Sequence, residues 1–468
     1  MRRKAAVALV ALALGAAPFG AAYGADVPAR IEALENQMER MQAELQALRE
    51  EQRKDAEKAK GGQAESERKT TVLAEELEDL RTKITLPEAV ELKSQYGLGP
   101  AASKVYGIER GLSIGGYGEA FYSKFVSDKT GTDRDTSDFL RFVLYAGYKF
   151  NDWLLFNSEI EFEHGTTSST ESAGGGSVSV ELAYLDFLLS ERLNARAGML
   201  LVPMGFINEI HEPPFFHGVG RPEVERQIIP TTWRENGVGF FGQLTPSLEY
   251  RLYAVNGFNA KGLRPSGLRD ARQQGNRVLA EDVAFVGRID YVPIPSLLVG
   301  GSIYTGDAGQ DQTVDDLALP DTATTLWEVH GQYRARGLEM RGLFTMAHIG
   351  DARELTLALR EIGEIRAGDA IASRMLGGYV ELAYDIAPWL FPGTDHYLAP
   401  FFRLEYFDTQ DETPPGLGRD AGRELRVWTP GLTYKPHPNV VLKLDYRNFS
   451  PVEGDRADEV NFGAGFAF

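Results

Sequence analysis

From Leu112 to Phe468 the chain alternates between two lengths of connection, and this parity limits its fold more than any other feature. Runs of period-2 hydrophobicity mark about sixteen strands. Their cores begin near Leu112, Asp138, Trp153, Val178, Leu193, Glu235, Leu248, Asp282, Ser296, Thr324, Leu338, Arg374, Tyr397, Arg423, Asn439 and Asp458. A long polar stretch such as "SDKTGTDRDT" or "GTTSSTESAGGGS" alternates with a short turn such as Asn151-Asp152, Glu191-Arg192, "TPS" or "PIPS". Only "APWLFPGTDH" is long for its class. Greek-key sandwiches give no reason for such strict parity. An up-and-down meander through a membrane does, because its turns are short on one side and its loops long on the other.

The strand faces agree with this. In "SDFLRFVLYAGYKF", Leu140, Phe142, Leu144, Ala146, Tyr148 and Phe150 alternate with Arg141, Val143, Tyr145, Gly147 and Lys149. In "WLLFNSEIEFEH", Leu154, Phe156, Ile160 and Phe162 alternate with Asn157, Glu159, Glu161 and Glu163, and near the end Lys443, Asp445 and Arg447 alternate with Leu442, Leu444 and Tyr446. The charged set of each strand needs water and the apolar set needs something apolar. The fold class expected is therefore all-β: a sixteen-stranded antiparallel transmembrane β-barrel over residues 111–468. Arg141, Lys149, Glu159, Glu161, Glu163, Lys443, Asp445 and Arg447 are expected on the lumen wall. A membrane barrel can have no free edge, so the terminal "DEVNFGAGFAF" should pair with "LSIGGYGEAFYSKF" and turn Val460, Phe462, Ala464, Phe466 and Phe468 towards lipid. About sixteen strands enclose more space than wall side chains fill, which implies an aqueous channel.

The N-terminus reads differently. "MRRKAAVALVALALGAAPFGAAYGA" has the basic, apolar and small-residue regions of a signal peptide, expected over residues 1–25. In residues 26–85 Ile31, Leu34, Met38, Met41, Leu45 and Leu48 follow three-four spacing, and Leu73, Leu77, Leu80 and Ile84 resume it in a shifted phase. That is the seam of a coiled coil, here a trimerising one, and residues 86–110 read as a Gly/Pro-containing linker. Cysteine is absent, which excludes disulfides and thiolate chemistry, and the net charge of −18 argues against nucleic acid as a partner. The excess of acid hints at cation preference in a channel.

The longest connection, "PMGFINEIHEPPFFHGVGRPEVERQIIPTTWR", mixes charge with Phe, Ile and Trp that solvent-exposed loops seldom carry. It is expected to fold back into the lumen. Glu209, Glu212, Glu223 and Glu225 against Arg221, Arg226 and Arg234, with Glu235 beside them, would then oppose each other across a pore constriction. His211 and His217 match no ligand spacing, so neither a metal nor a cofactor is expected. A short helix is expected in "ARELTLALREIGEIR".

The signal peptide, coil, parity and terminal Phe468 together resemble Gram-negative outer-membrane porins. More narrowly, "LNARAGMLLVPMGF" followed by "RPEVERQIIPTTWRENGVGFFG", with its Arg234-Glu235-Asn236-Gly237 re-entry, is similar to the third-loop region of the phosphate-selective porin O/P family. The resemblance implies a trimeric passive channel for small hydrophilic solutes or ions, set in a lipid bilayer with lipopolysaccharide, and a Phe468 read by the barrel-assembly machinery. The coil could also reach peptidoglycan. Phosphate selectivity in that family rests on an Arg ladder and a Lys ring in the lumen; here the barrel region is net acidic and no Lys cluster appears, so phosphate is not carried over. Enzymatic activity is not expected: no Ser-His-acid arrangement is evident. A barrel enzyme and a structural tether remain the alternatives.

Overall fold

The computed structural model describes residues 27–56, 93–127, 131, 133–169 and 174–468, in two compact units divided after Val90. In the first unit α1 (Val27–Ala56) is a 30-residue helix with Met38 and Met41 exposed. The signal segment 1–25 and the second apolar run, Leu73 to Ile84, lie outside the described residues.

The second unit is a closed barrel of sixteen antiparallel strands. In chain order these are β1 (Gly111–Val126), β2 (Thr136–Asn151), β3 (Leu154–Glu163), β4 (Val178–Leu188), β5 (Asn194–Leu201), β6 (Arg234–Thr245), β7 (Leu248–Asn256) and β8 (Val283–Ile294). They continue as β9 (Leu297–Gly306), β10 (Thr324–Ala335), β11 (Leu338–Ile349), β12 (Arg374–Tyr384), β13 (Tyr397–Glu412), β14 (Glu424–His437), β15 (Val440–Pro451) and β16 (Asp458–Ala467). Each pairs with the next, and β16 closes onto β1 with Ala467 opposite Tyr117 and Asp458 opposite Val126. Every strand starts within two residues of its sequence expectation. A two-residue hairpin, Thr313–Val314 with Leu317–Ala318, decorates the connection after β9, and the helix expected in the next long loop forms over Ala352–Glu361.

Alternation decides the faces. Val238, Phe240, Phe285, Ile289, Ile303, Val380, Leu404 and Phe462 are exposed on the outside, while Glu159, Arg196, Arg251, Arg288, Arg403 and Asp445 are buried inside. Water does not tolerate so large an apolar belt, whereas hydrocarbon does, and closure leaves no strand edge to satisfy. The barrel spans a membrane with its strands; no described helix is long and apolar enough to cross one. On β16, Asn461, Gly463, Gly465 and Ala467 face in, and Val460, Phe462, Phe466 and Phe468 face out, as the alternation requires.

The interior is packed more than the strand count suggests. The connection 202–233 lies inside, and Val202, Met204, Val224, Ile228, Ile229 and Trp233 share one buried cluster with Leu98, Ala101 and Val105. From Lys93 onward the stretch expected as a linker is therefore part of the barrel's contents, ending in one helical turn, Lys104–Gly107. Two wall glycines make room. A Cβ on Gly147 would come within 2.6 Å of Val105, and one on Gly465 within 2.5 Å of Pro213. The small-residue face of the last strand thus seats the in-folded loop.

Candidate functional site in the barrel lumen

The loop 202–233 is first closed on itself. Asn208 donates to the carbonyls of Val202 (2.7 Å) and Trp233 (2.9 Å) and accepts from the Trp233 amide at 2.6 Å, which ties the two ends together. Glu225 accepts from the amides of Phe206 and Ile207 at 2.8 Å each and from the Tyr379 hydroxyl of β12 at 2.6 Å. Burial raises its carboxyl above the ordinary range.

The remaining loop acids go to separate partners. Glu212 accepts from the amides of Ala101 (3.0 Å) and Ala102 (3.2 Å), which fixes the N-terminal segment to the loop, and burial pushes its pKa up to about 8. Glu209 pairs with Arg251 of β7 at 3.0 Å. Glu223 pairs with Arg226 (2.9 Å) and with Arg447 of β15 (2.7 Å). Burial alone would raise the Glu223 carboxyl, but these guanidiniums outweigh it and hold it well below the usual range. Arg234 pairs with Glu181 of β4 at 2.9 Å, and Glu235 accepts from the Gln273 amide at 2.9 Å. The acids expected to oppose Arg221, Arg226 and Arg234 are thus consumed locally: Glu223 and Arg226 are partners on one helical turn, and none of these acids forms an ion pair with Arg221.

On the wall, Lys443 lies over the Phe216 ring at 3.5 Å, and Asp445 accepts from the Val219 amide at 2.6 Å, so both hold the loop. Arg141 binds Glu119 (2.9 Å) and Glu161 (3.0 Å), and Lys149 donates to the Ile108 carbonyl at 2.8 Å. Glu163 accepts from Ser177 at 2.9 Å near the long-loop end.

Several lumen residues escaped the sequence reading. Arg403 of β13 is fully buried between Glu381 (3.1 Å) and Glu405 (3.0 Å) and also donates to the carbonyls of His217 and Gly220. Arg196 pairs with Asp186 at 2.8 Å and reaches Tyr106 at 3.0 Å. Arg196, Arg251, Arg288 and Arg403 sit at inward positions that alternation alone would have found. Arg269 and Arg272, in the connection 257–282, carry no such signal.

A cavity of about 290 Å³ remains beside the loop, lined by Arg141, Arg221, Arg226, Arg269 and Arg447 against Glu119 and Glu459. Arg141, Arg226 and Arg447 have carboxylate partners. Among the described residues Arg221 and Arg269 have none: Arg221 keeps a buried Nη2 without a hydrogen bond, and Arg269 donates only to Thr231. Arg272 similarly donates to the carbonyls of Thr231 and Thr232. Burial and the neighbouring guanidiniums push Arg269 down to about 10 and Arg272 down to about 9, which still leaves both cationic at neutral pH. Among the described residues, Arg221 and Arg269 thus line this cavity without an ion-pair partner, in a chain of net charge −18.

Fold and contents define a sixteen-stranded membrane-spanning barrel with a loop and an N-terminal segment held in its lumen. No family model matches the chain. It is 39% identical over 373 residues to a protein of Aquifex aeolicus (strain VF5) that is named only as an uncharacterized protein, covering 78% of this chain and 82% of that one. The chain belongs to the same family as that Aquifex protein. Solved structures similar to it include the outer-membrane channel DcaP of Acinetobacter baumannii (TM-score 0.48, 14% identity, 76% of this chain and 97% of that one). OmpF of Salmonella typhi in complex with daunomycin gives a TM-score of 0.49 at 13% identity, over 77% and 98% of the two chains. An anion-selective porin from Comamonas acidovorans gives 0.48 at 12%, over 77% and 100%.

Proposed function

We propose that the protein is a passive channel of a Gram-negative outer membrane, a porin through which small hydrophilic solutes and ions diffuse, with loop 202–233 narrowing the lumen. The closed barrel with a polar, charge-lined interior supports conduction. The observation that carries the selectivity is the set of guanidiniums without carboxylate partners, Arg221, Arg269 and Arg272. Fixed positive charge at a narrow section raises the local concentration of anions. Composition points the other way, to cations, but the loop acids are spent on amides and arginines, so the preference proposed is for small anions. Phosphate in particular is no part of the proposal.

A homotrimer fits the porin reading, with α1 as its coiled coil, and such a coil could also reach peptidoglycan. Phe468, exposed at the end of β16, suits recognition by the barrel-assembly machinery, and the long loops would meet lipopolysaccharide. The test is planar-bilayer recording on purified protein under a potassium chloride gradient. A reversal potential of the sign set by chloride is expected. No ion current at all would sink the channel and favour the structural tether.

A further inference from the structure

Where the loop tip meets the wall, one side chain of the loop and two of the wall converge. His211 Nε2 lies 3.3 Å from Glu159 Oε1 of β3 and 3.9 Å from Glu181 Oε2 of β4. One ligand atom from each residue falls within 4.8 Å of the others. All three side chains are sealed off, with Glu159 at 0% exposure and Glu181 and His211 at 1%.

Each position has a structural cause. Glu159 faces Leu182 and Ile160 faces Val180 across the strands, so Glu181 is an extra residue, a β-bulge that turns both Glu181 and Leu182 inward. His211 Nδ1 stands 3.0 Å from the Asn208 carbonyl, which can only accept, so Nδ1 carries the hydrogen. Nε2 of the neutral ring then points a lone pair at two carboxylates that also only accept. Outer hydrogen bonds of this kind orient metal-binding imidazoles.

The carboxylates are short of partners. Glu159 Oε2 and Glu181 Oε2 are buried without a hydrogen bond. Arg234 takes the other oxygen of Glu181, and Glu159 has no guanidinium within ion-pair distance among the described residues. Four carboxylates gather here, Glu119, Glu159, Glu161 and Glu181, and only Arg141 and Arg234 pair with them. Arg221 forms no ion pair with the group, although its charge reaches Glu119, Glu159 and Glu181.

We propose that Glu159, Glu181 and His211 bind a divalent transition-metal cation, with zinc as its representative. Two carboxylate oxygens and one imidazole nitrogen suit such an ion and leave a fourth position open. Ligands about 2.1 Å from one tetrahedral ion stand about 3.4 Å apart, close to the His211–Glu159 separation. The ion would clamp the loop tip to two neighbouring wall strands, independently of what the channel conducts.

The experiment is metal content of the purified full-length protein, stripped with EDTA, re-equilibrated with zinc and measured by mass spectrometry. One zinc per chain is expected, and a cobalt form should show the absorption of a nitrogen- and oxygen-ligated tetrahedral ion. His211→Ala and Glu159→Gln should weaken zinc binding at least tenfold, a bound taken from losses at outer-shell partners. Glu354→Gln, on an exposed loop helix, should leave it unchanged. Heat-modifiable migration on gels confirms that each variant is a folded barrel; if His211→Ala does not fold, the isosteric Glu159→Gln carries the test. A folded barrel that takes up no stoichiometric zinc overturns the proposal. Zinc that survives both substitutions overturns it equally.

Discussion

The two halves of the in-folded loop use charge in opposite ways. From Gly205 to Glu212 the polar groups are spent on structure: Glu209 on Arg251, Glu212 on the amides of the N-terminal segment, Asn208 on the ends of the loop. From Val219 to Arg226 the same barrel wall leaves Arg221 without a carboxylate and sets it beside a cavity with Arg269. A carboxylate buried against amides is fixed and largely removed from the field a solute meets, whereas an unpaired guanidinium beside open space is part of that field. The first half should therefore control whether the loop stays in place, and the second which ions pass.

The sharpest break in this comparison is Asn208→Ala. It removes three hydrogen bonds at a fully buried site, and leaving such groups unpaired costs about 1–3 kcal/mol each. Part is recovered because the Val202 amide still donates to the Trp233 carbonyl at 2.9 Å. The expected result is a folded barrel with a loosened loop, seen as several-fold larger and noisier single-channel conductance. Unchanged conductance would mean that Asn208 does not hold the loop.

Charge reversal in the second half should act on selectivity instead. Arg221→Glu puts a carboxylate beside Arg141 and Arg269 and removes a cation whose pKa burial already lowers. Conductance should change little, while the anion-to-cation permeability ratio falls several-fold. An unaltered ratio would move the selective section away from this cavity.

This division of labour was only partly legible in the sequence. Strand positions, closure of β16 onto β1 and the lipid-facing side of Phe462 follow from a period of two, which each strand carries by itself. Partners of the loop charges depend on where the loop lies against the whole circumference. Glu223 meets Arg447 across a separation of 224 residues, so no local spacing records the contact. The segment from Lys93 to Gly107 was equally hidden. Its Leu98, Ala101 and Val105 make too short a run to show helical periodicity, and what they pack against includes wall glycines with no pattern of their own.

That segment offers a smaller test of the first half. Gly147→Leu would drive a side chain into Val105, and overpacking of this kind costs about 1–3 kcal/mol. The segment should yield before the strand, because β2 is paired on both edges. Conductance should rise modestly and protease access to residues 93–107 should increase, with selectivity unchanged. A selectivity change here would show that the two halves are not separable.

The smallest effect expected is that of pH on selectivity. Arg269 and Arg272 have pKa values lowered to about 10 and about 9, and a base with a lowered pKa keeps its charge below that value and loses it as pH rises through it. The guanidinium field should therefore be constant from pH 5 to pH 8 and weaken only above about pH 9. Glu223, held ionised by Arg226 and Arg447, adds no change in that window. Glu212, with a pKa of about 8, ionises only towards the top of this range, so reversal potentials should coincide across pH 5–7. A fall of anion preference within that range would assign the field to a carboxylate or a histidine and transfer part of the selectivity to the half of the loop that carries them.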